Sequence, residues 1–278
     1  MFSDRFTRQE AIISVAAAGN KGTSILMATV MAVYIGRVGT PLAVSLVLAV
    51  FFLGRMVFAQ LWGAVAERTG SRRRVLLASS GLAALTILPL AVVDGIRGPL
   101  ALRTLFAVFV AGFLPVMFTI MNERGGATDR GREVGLFGSA AAAGSMLGRS
   151  ASGPLVDHFT REFVYVFLAV AGGFVVLTCL FVDDPTPESS TDGAGIETWA
   201  AFVSTLRGRF LPTSGDGTAH LRTNGLHWLY VASLLRNATV IGMMSLLPVY
   251  LVAELDLSPA TMGLLLGVNP AVQMVGMY

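Results

Sequence analysis

Read from its N-terminus, the chain alternates long apolar runs with short polar breaks that carry arginine. Eight runs stand out: residues 11–34, 42–65, 75–93, 100–121, 134–157, 163–181, 228–252 and 260–278. A helix needs ~20 apolar residues to cross the hydrocarbon of a bilayer, and each run is close to that length. None shows the short in–out alternation of a membrane β-strand. Backbone amides in lipid must be satisfied within the span, so the runs predict eight transmembrane helices and an all-α membrane protein. Residues 183–227 form the one long polar stretch, rich in Ser, Thr and Gly, and read as a linker. Inside it, 196–209 predicts a short amphipathic helix on the membrane face, with Trp199, Phe202 and Leu206 on one side. The expected organisation is a six-helix bundle at 1–182, a cytoplasmic linker at 183–227 and two further helices at 228–278.

Composition agrees with that pattern. Of 278 residues, 54% are hydrophobic and 13% are charged, about half the ~25% of a soluble domain. The mean hydropathy is +0.69. A net charge of +3 gives no reason to expect nucleic acid, and the placement of charge is more informative. With a cytoplasmic N-terminus, twelve arginines fall on inside segments, among them Arg5, Arg8, Arg68, Arg124 and Arg132, and three, Arg37, Arg97 and Arg161, fall outside. That imbalance follows the positive-inside rule and predicts a multi-pass protein of the cell membrane with its N-terminus in the cytoplasm.

Candidate chemistry is sparse. Cys179, the single cysteine, excludes an intrachain disulfide and reads as a small packing residue within a span. His158, His220 and His227 have no metal-ligand spacing, and there is no phosphate-binding loop, nucleophile elbow or zinc-protease motif. Enzymatic activity, a metal and a cofactor are therefore not expected.

The loop between the second and third runs is the most specific segment: Gly63-Ala-Val-Ala-Glu67-Arg68-Thr-Gly70-Ser-Arg72-Arg73-Arg74. It resembles the loop motif of the major facilitator superfamily of transporters: Gly, three residues, an acid, Arg, any residue, Gly, then a basic cluster. Gly144-Ser-Met-Leu-Gly148-Arg-Ser-Ala-Ser-Gly153-Pro154 resembles that family's glycine-proline motif in the fifth span, with Arg149 as an unusual insertion. Arg103-Thr-Leu-Phe-Ala107 resembles the family's fourth-span arginine motif, with Ala in place of its glycine, and Leu247-Pro248-Val-Tyr250-Leu resembles the end of the seventh span. The resemblance implies a six-helix N-terminal bundle followed by the first two helices of a C-terminal bundle. The family has twelve spans, so a chain clipped after the eighth is expected.

Five basic residues lie within spans: Lys21, Arg55, Arg103, Arg149 and Arg236. Lys21 is ten residues into its run, about 15 Å deep at 1.5 Å per residue, near the bilayer midplane. A charge there costs at least ~2.5 kcal/mol and usually faces a wet cavity. Lys21 with Asn20, Arg149, and Arg236 with Asn237 are therefore the candidate substrate-binding residues. The family resemblance assigns Arg103 to ion coupling, Gly63, Glu67, Arg68, Gly70 and Arg72–Arg74 to a gate, and Gly144, Gly148, Gly153 and Pro154 to helix packing. Gly63 is expected to let the second helix approach a neighbour, and Gly70 to permit a tight turn. No Asp or Glu lies inside the apolar cores; Glu10, Asp157 and Glu254 are at edges. Unpaired cations match carboxylate and phosphate oxygens, which favours an anionic solute.

Three readings follow. The first is alternating-access transport of a small organic anion coupled to a proton or sodium gradient. The second is efflux of hydrophobic or cationic drugs, and the third a truncated, non-transporting membrane remnant or scaffold. The expected partners are the lipid bilayer, the solute and the coupling ion.

Overall fold

The computed structural model describes residues 7–125, 129–184 and 225–277. Every apolar run is helical, and no strand occurs among the described residues. The helices are α1 (Arg8–Val38), α2 (Pro41–Thr69), α3 (Arg72–Leu85), α4 (Arg97–Val110), α5 (Phe113–Gly125), α6 (Arg130–His158), α7 (Arg161–Cys179), α8 (Leu226–Ala253) and α9 (Pro259–Met277). Six segments are long and apolar enough to cross a membrane: Arg8–Val38, Pro41–Thr69, Arg72–Ala91, Arg97–Arg124, Arg161–Cys179 and Leu226–Ala253. The expected spans at 134–157 and 260–278 form α6 and α9, which are not among them. Their sequences carry glycine, alanine, Arg149, Asn269 and Gln273 where a lipid-facing span has leucine. The amphipathic helix expected at 196–209 lies outside the described residues.

Local chemistry sets the helix ends. Thr7 and Glu10 form a reciprocal capping box that starts α1 at Arg8: the Glu10 amide donates to Thr7 Oγ1 at 3.2 Å, and the Thr7 amide to Glu10 Oε2 at 2.5 Å. Thr40 caps α2, with Pro41 in its first turn. Gly70 ends α2 at φ +58°, a left-handed conformation that other residues avoid, so the tight turn expected there is present. The expected fourth span is two helices, because Pro115 has no amide to bond the Ala111 carbonyl. At that break the Trp62 indole of α2 donates to the Val108 carbonyl at 2.7 Å.

Residues Met1–Pro187 and Leu246–Tyr278 form one compact unit, and Glu188–Ser245 a second. In the first unit α6 is the most extensively packed helix, lying against both α1 and α9. A methyl at Gly144 would run into the Ala18 backbone, and one at Gly148 into the Gly22 backbone. Along the same helix, one at Gly153 would strike the backbone of Pro259 and Ala260. Such small-residue faces let helices meet backbone to backbone, as membrane helices do where lipid removes the hydrophobic drive. Pro154 lies inside α6 and removes the bond to the Ser150 carbonyl, which faces Gly263 of α9.

Two apolar clusters fill the bundle. One gathers Met27, Met31, Leu90, Leu168 and Met262; the other gathers Ile13, Leu76, Met117, Met121 and Cys179. The outside is apolar too. On α7, Phe163, Val170, Phe174 and Leu177 are 48–68% exposed at helical spacing. Leu42 and Met56 of α2 are 77% and 69% exposed. An apolar face this continuous belongs in lipid rather than water.

Candidate functional site

Lys21 on α1, Arg55 on α2 and Arg149 on α6 come together. Both arginines lie within electrostatic range of Lys21, and Arg55 is also within range of Arg103 on α4. Lys21, Arg55 and Arg149 are half-buried. None of the four makes an ion pair with a described carboxylate. The α1–α6 glycine contact positions two of them, since Gly22 follows Lys21 and Gly148 precedes Arg149. Arg149 also stands next to the second packing face of α6, because the Cβ direction of Gly263 ends 2.8 Å from the Arg149 carbonyl. Arg149 Nε is buried and has no hydrogen-bond partner among the described residues.

Arg103 is more deeply placed than its sequence position implies. It is 1% exposed, its guanidinium carbon 4.0 Å from the Phe51 ring centre and 5.5 Å from that of Phe106. The two rings stack at 6.0 Å. Cation–π contact of a desolvated arginine is worth ~2 kcal/mol, less than the several kcal/mol that burial of the charge costs. Arg103 Nε and Nη1 lack partners among the described residues, and Tyr165 of α7 lies within electrostatic range.

Asn20 lines a cavity whose described lining does not include Lys21. That cavity, of about 20 Å³, lies among α1, α3, α4 and α7 and is lined by Thr23, Ser24 and Ser80. That is room for about one water with polar partners. Arg236 is exposed on α8, in the unit Glu188–Ser245; the Asn237 side chain lies outside the described residues.

The 63–74 segment makes contacts inside the bundle. Arg72 pairs with Glu123 at the end of α5. The Arg73 guanidinium donates to the Leu180 carbonyl, and its amide to Asp184 Oδ2 at 3.0 Å. Arg74 and Glu67 are exposed, and Arg68 is half-buried. The Cβ direction of Gly63 meets no described atom within 4 Å, so the close helix approach expected at that glycine is not made among the described residues.

Two acids emerge that sequence reading left at helix edges. Glu10 is 2% exposed, and its Oε1 is 2.7 Å from Arg132 Nη1, joining the starts of α1 and α6. Next to it, burial and the Glu10 charge hold the Glu133 carboxyl above its ordinary range. At the other end of α6, Asp157 Oδ2 accepts the Ala260 amide at 3.1 Å, in the first turn of α9. The pattern Thr-x-x-Glu at residues 7–10 was a readable signal for the first. Asp157 and Phe51 gave none, since their partners are 103 and 52 residues away.

This geometry defines a class: a multi-pass helical membrane protein with an apolar exterior and cations held inside. The family pattern described as Major Facilitator Superfamily matches residues 11–278. The chain belongs to that superfamily, whose members are transporters and not enzymes. Over 149 residues it is 26% identical to the uncharacterized MFS-type transporter YuxJ of Bacillus subtilis, covering 51% of this chain and 38% of that protein. Over 139 residues it is 26% identical to the multidrug resistance protein MdtG of Salmonella paratyphi A, covering 50% of this chain and 34% of that one. Among solved structures, a crystal structure of the POT family transporter PepTSo matches at a TM-score of 0.58 and 16% identity, over 99% of this chain and 57% of the other. That likeness concerns the fold alone. The chain spans little more than a third of the curated relatives it matches.

Proposed function

We infer that the protein moves a small organic anion across the cell membrane by alternating access, with its N-terminus in the cytoplasm and a proton or sodium gradient as the drive. The observation that carries this reading is the convergence of Lys21, Arg55 and Arg149 without a described acid. Cations kept at mid-membrane depth without partners are costly, and an anionic solute offsets that cost on arrival. Guanidinium forks give a carboxylate or phosphate two parallel hydrogen bonds, while Lys21 supplies a point charge. Asn20 remains a candidate for the same path, and Arg236 and Asn237 remain candidate substrate-binding residues by their sequence positions. Arg103 acts in coupling, its unpartnered nitrogens serving as the site that a passing charge or a moving tyrosine hydroxyl satisfies. The 63–74 loop forms the gate, and Arg72 and Arg73 tie it to α5 and α7.

Uptake of labelled dicarboxylates and phosphate esters into proteoliposomes, under an imposed proton or sodium gradient, tests this. Wild-type protein is expected to accumulate at least one anion and Lys21→Ala to lose it at equal expression. Transport undiminished by both Lys21→Ala and Arg149→Ala overturns the reading.

A second reading, efflux of hydrophobic or cationic drugs, is favoured by one finding: MdtG carries the name of a multidrug resistance protein. Drug resistance conferred on a sensitive host and unchanged by Lys21→Ala would establish it in place of the first.

A further inference from the structure

The end of the bundle where α1 begins holds a cavity of about 500 Å³, and of its arginines the transport reading uses Arg73 alone, in the gate. Arg8, Arg73 and Arg124 line it from three helices, α1, α3 and α5, and Asp183 is the one acid among its described lining residues. Gln9 shapes the rim: its side-chain amide donates to the Phe181 carbonyl at 3.1 Å and accepts from the Asp183 amide at 3.2 Å. The Arg73 guanidinium is partly engaged by the Leu180 carbonyl. Arg124 is not so satisfied, because its Nε is buried without a partner among the described residues. Among the described lining residues three guanidinium groups face one carboxylate, and Glu133, within electrostatic range of Arg124, does not neutralise all three. The cavity lies about 20 Å along α1 from Lys21, thirteen residues at 1.5 Å each, so it is separate from the cations assigned to the solute.

We propose that this cavity is a binding site for a phosphate group, presented either by the headgroup of an anionic lipid or as free phosphate. The chemistry follows from the walls. Guanidinium matches the tetrahedral oxygens of phosphate with paired, charge-assisted hydrogen bonds, and a buried Nε needs an acceptor. The position follows from the fold. The arginines sit where apolar helices give way to polar termini, the depth at which lipid headgroups lie and basic residues attract anionic ones. Occupied, the site ties the start of α1 to the start of α3 and the end of α5.

The test uses the whole purified protein in a neutral detergent, titrated separately with dihexanoyl-phosphatidylglycerol, dihexanoyl-phosphatidylcholine and inorganic phosphate, with binding read by native mass spectrometry and thermophoresis. Saturable binding of phosphatidylglycerol is expected, weakened about tenfold or more in the Arg8→Gln, Arg124→Gln double variant. Arg37→Gln, at the opposite end of α1, is expected to bind as wild type. Binding of inorganic phosphate with the same arginine dependence identifies free phosphate as a ligand, and binding of phosphatidylglycerol alone identifies the lipid. Arg8 is exposed, so Arg8→Gln alone keeps the test open if the double variant does not fold. The proposal is overturned if neither probe saturates, if phosphatidylcholine binds as tightly as phosphatidylglycerol, or if folded arginine variants bind unchanged.

Discussion

The cations at the end of the bundle and those in its middle obey different rules. At the end, Arg132 meets Glu10, Arg72 meets Glu123 and Arg73 meets the Leu180 carbonyl, so these arginines act as staples between helices. In the middle, Lys21 has Arg55 and Arg149 within electrostatic range, and Arg103 has aromatic rings. A staple lowers the free energy of the folded bundle. A set of unpartnered cations raises it, and a fold retains such a set when something else supplies the counter-charge. Stability and function should therefore separate between the two regions.

The largest effect is expected in the middle. Replacing Lys21 with Met should reduce anion transport about 10- to 100-fold, the loss of one charge-assisted contact of ~1.5–3 kcal/mol. Melting temperature should hold or rise, because a repelling, half-buried charge is gone; a collapse of the fold would break the comparison. Next comes the contact that sets those cations in place. Gly144→Ala drives a methyl into the Ala18 backbone and should cost ~1–3 kcal/mol of stability, with transport falling in step, read by thermal unfolding in detergent.

At the end of the bundle the balance should invert. Arg132→Gln strands the buried Glu10 carboxylate and should destabilise by ~1–3 kcal/mol while leaving transport per folded molecule near wild type. Its companion effect should be rescued in part by Glu10→Gln. The smallest effect belongs to Glu133, whose carboxyl burial and Glu10 hold above the ordinary range. A raised acid is favoured by folding in its protonated form, so its contribution is present at low pH and is lost as pH rises through the folded value. Glu133→Gln should therefore melt slightly higher than wild type near neutral pH, with the difference gone below about pH 4, where the carboxyl is protonated in both states. An unchanged difference across that range would show that the raised carboxyl is not its source.

Much of this was legible in the sequence because each rule involved is local. Run length against bilayer thickness gave the helices, and Gly70 in a basic loop gave the turn. Where the reading fell short, partners distant in the chain were responsible. The fourth span reads as one apolar run and is one membrane-length segment, Arg97–Arg124, but its helix is interrupted ahead of Pro115, where Trp62 donates to the Val108 carbonyl. Gly63 has the motif's spacing, but its Cβ direction meets no described atom within 4 Å.

What the sequence determined by itself was the solvent and the class: apolar runs of bilayer length with arginine-rich breaks can satisfy their backbones in lipid only as helices. The loop motif named the family. Tertiary structure alone decided which charges are partners and which are left over. Periodicity carries no information about contacts between helices 50 or 100 residues apart, and electrostatics inside a bundle depends on a few ångströms. Glu10 became a buried staple, and Lys21 was left without a described acid, because the glycine faces of α6 fix how closely α1 and α9 approach it.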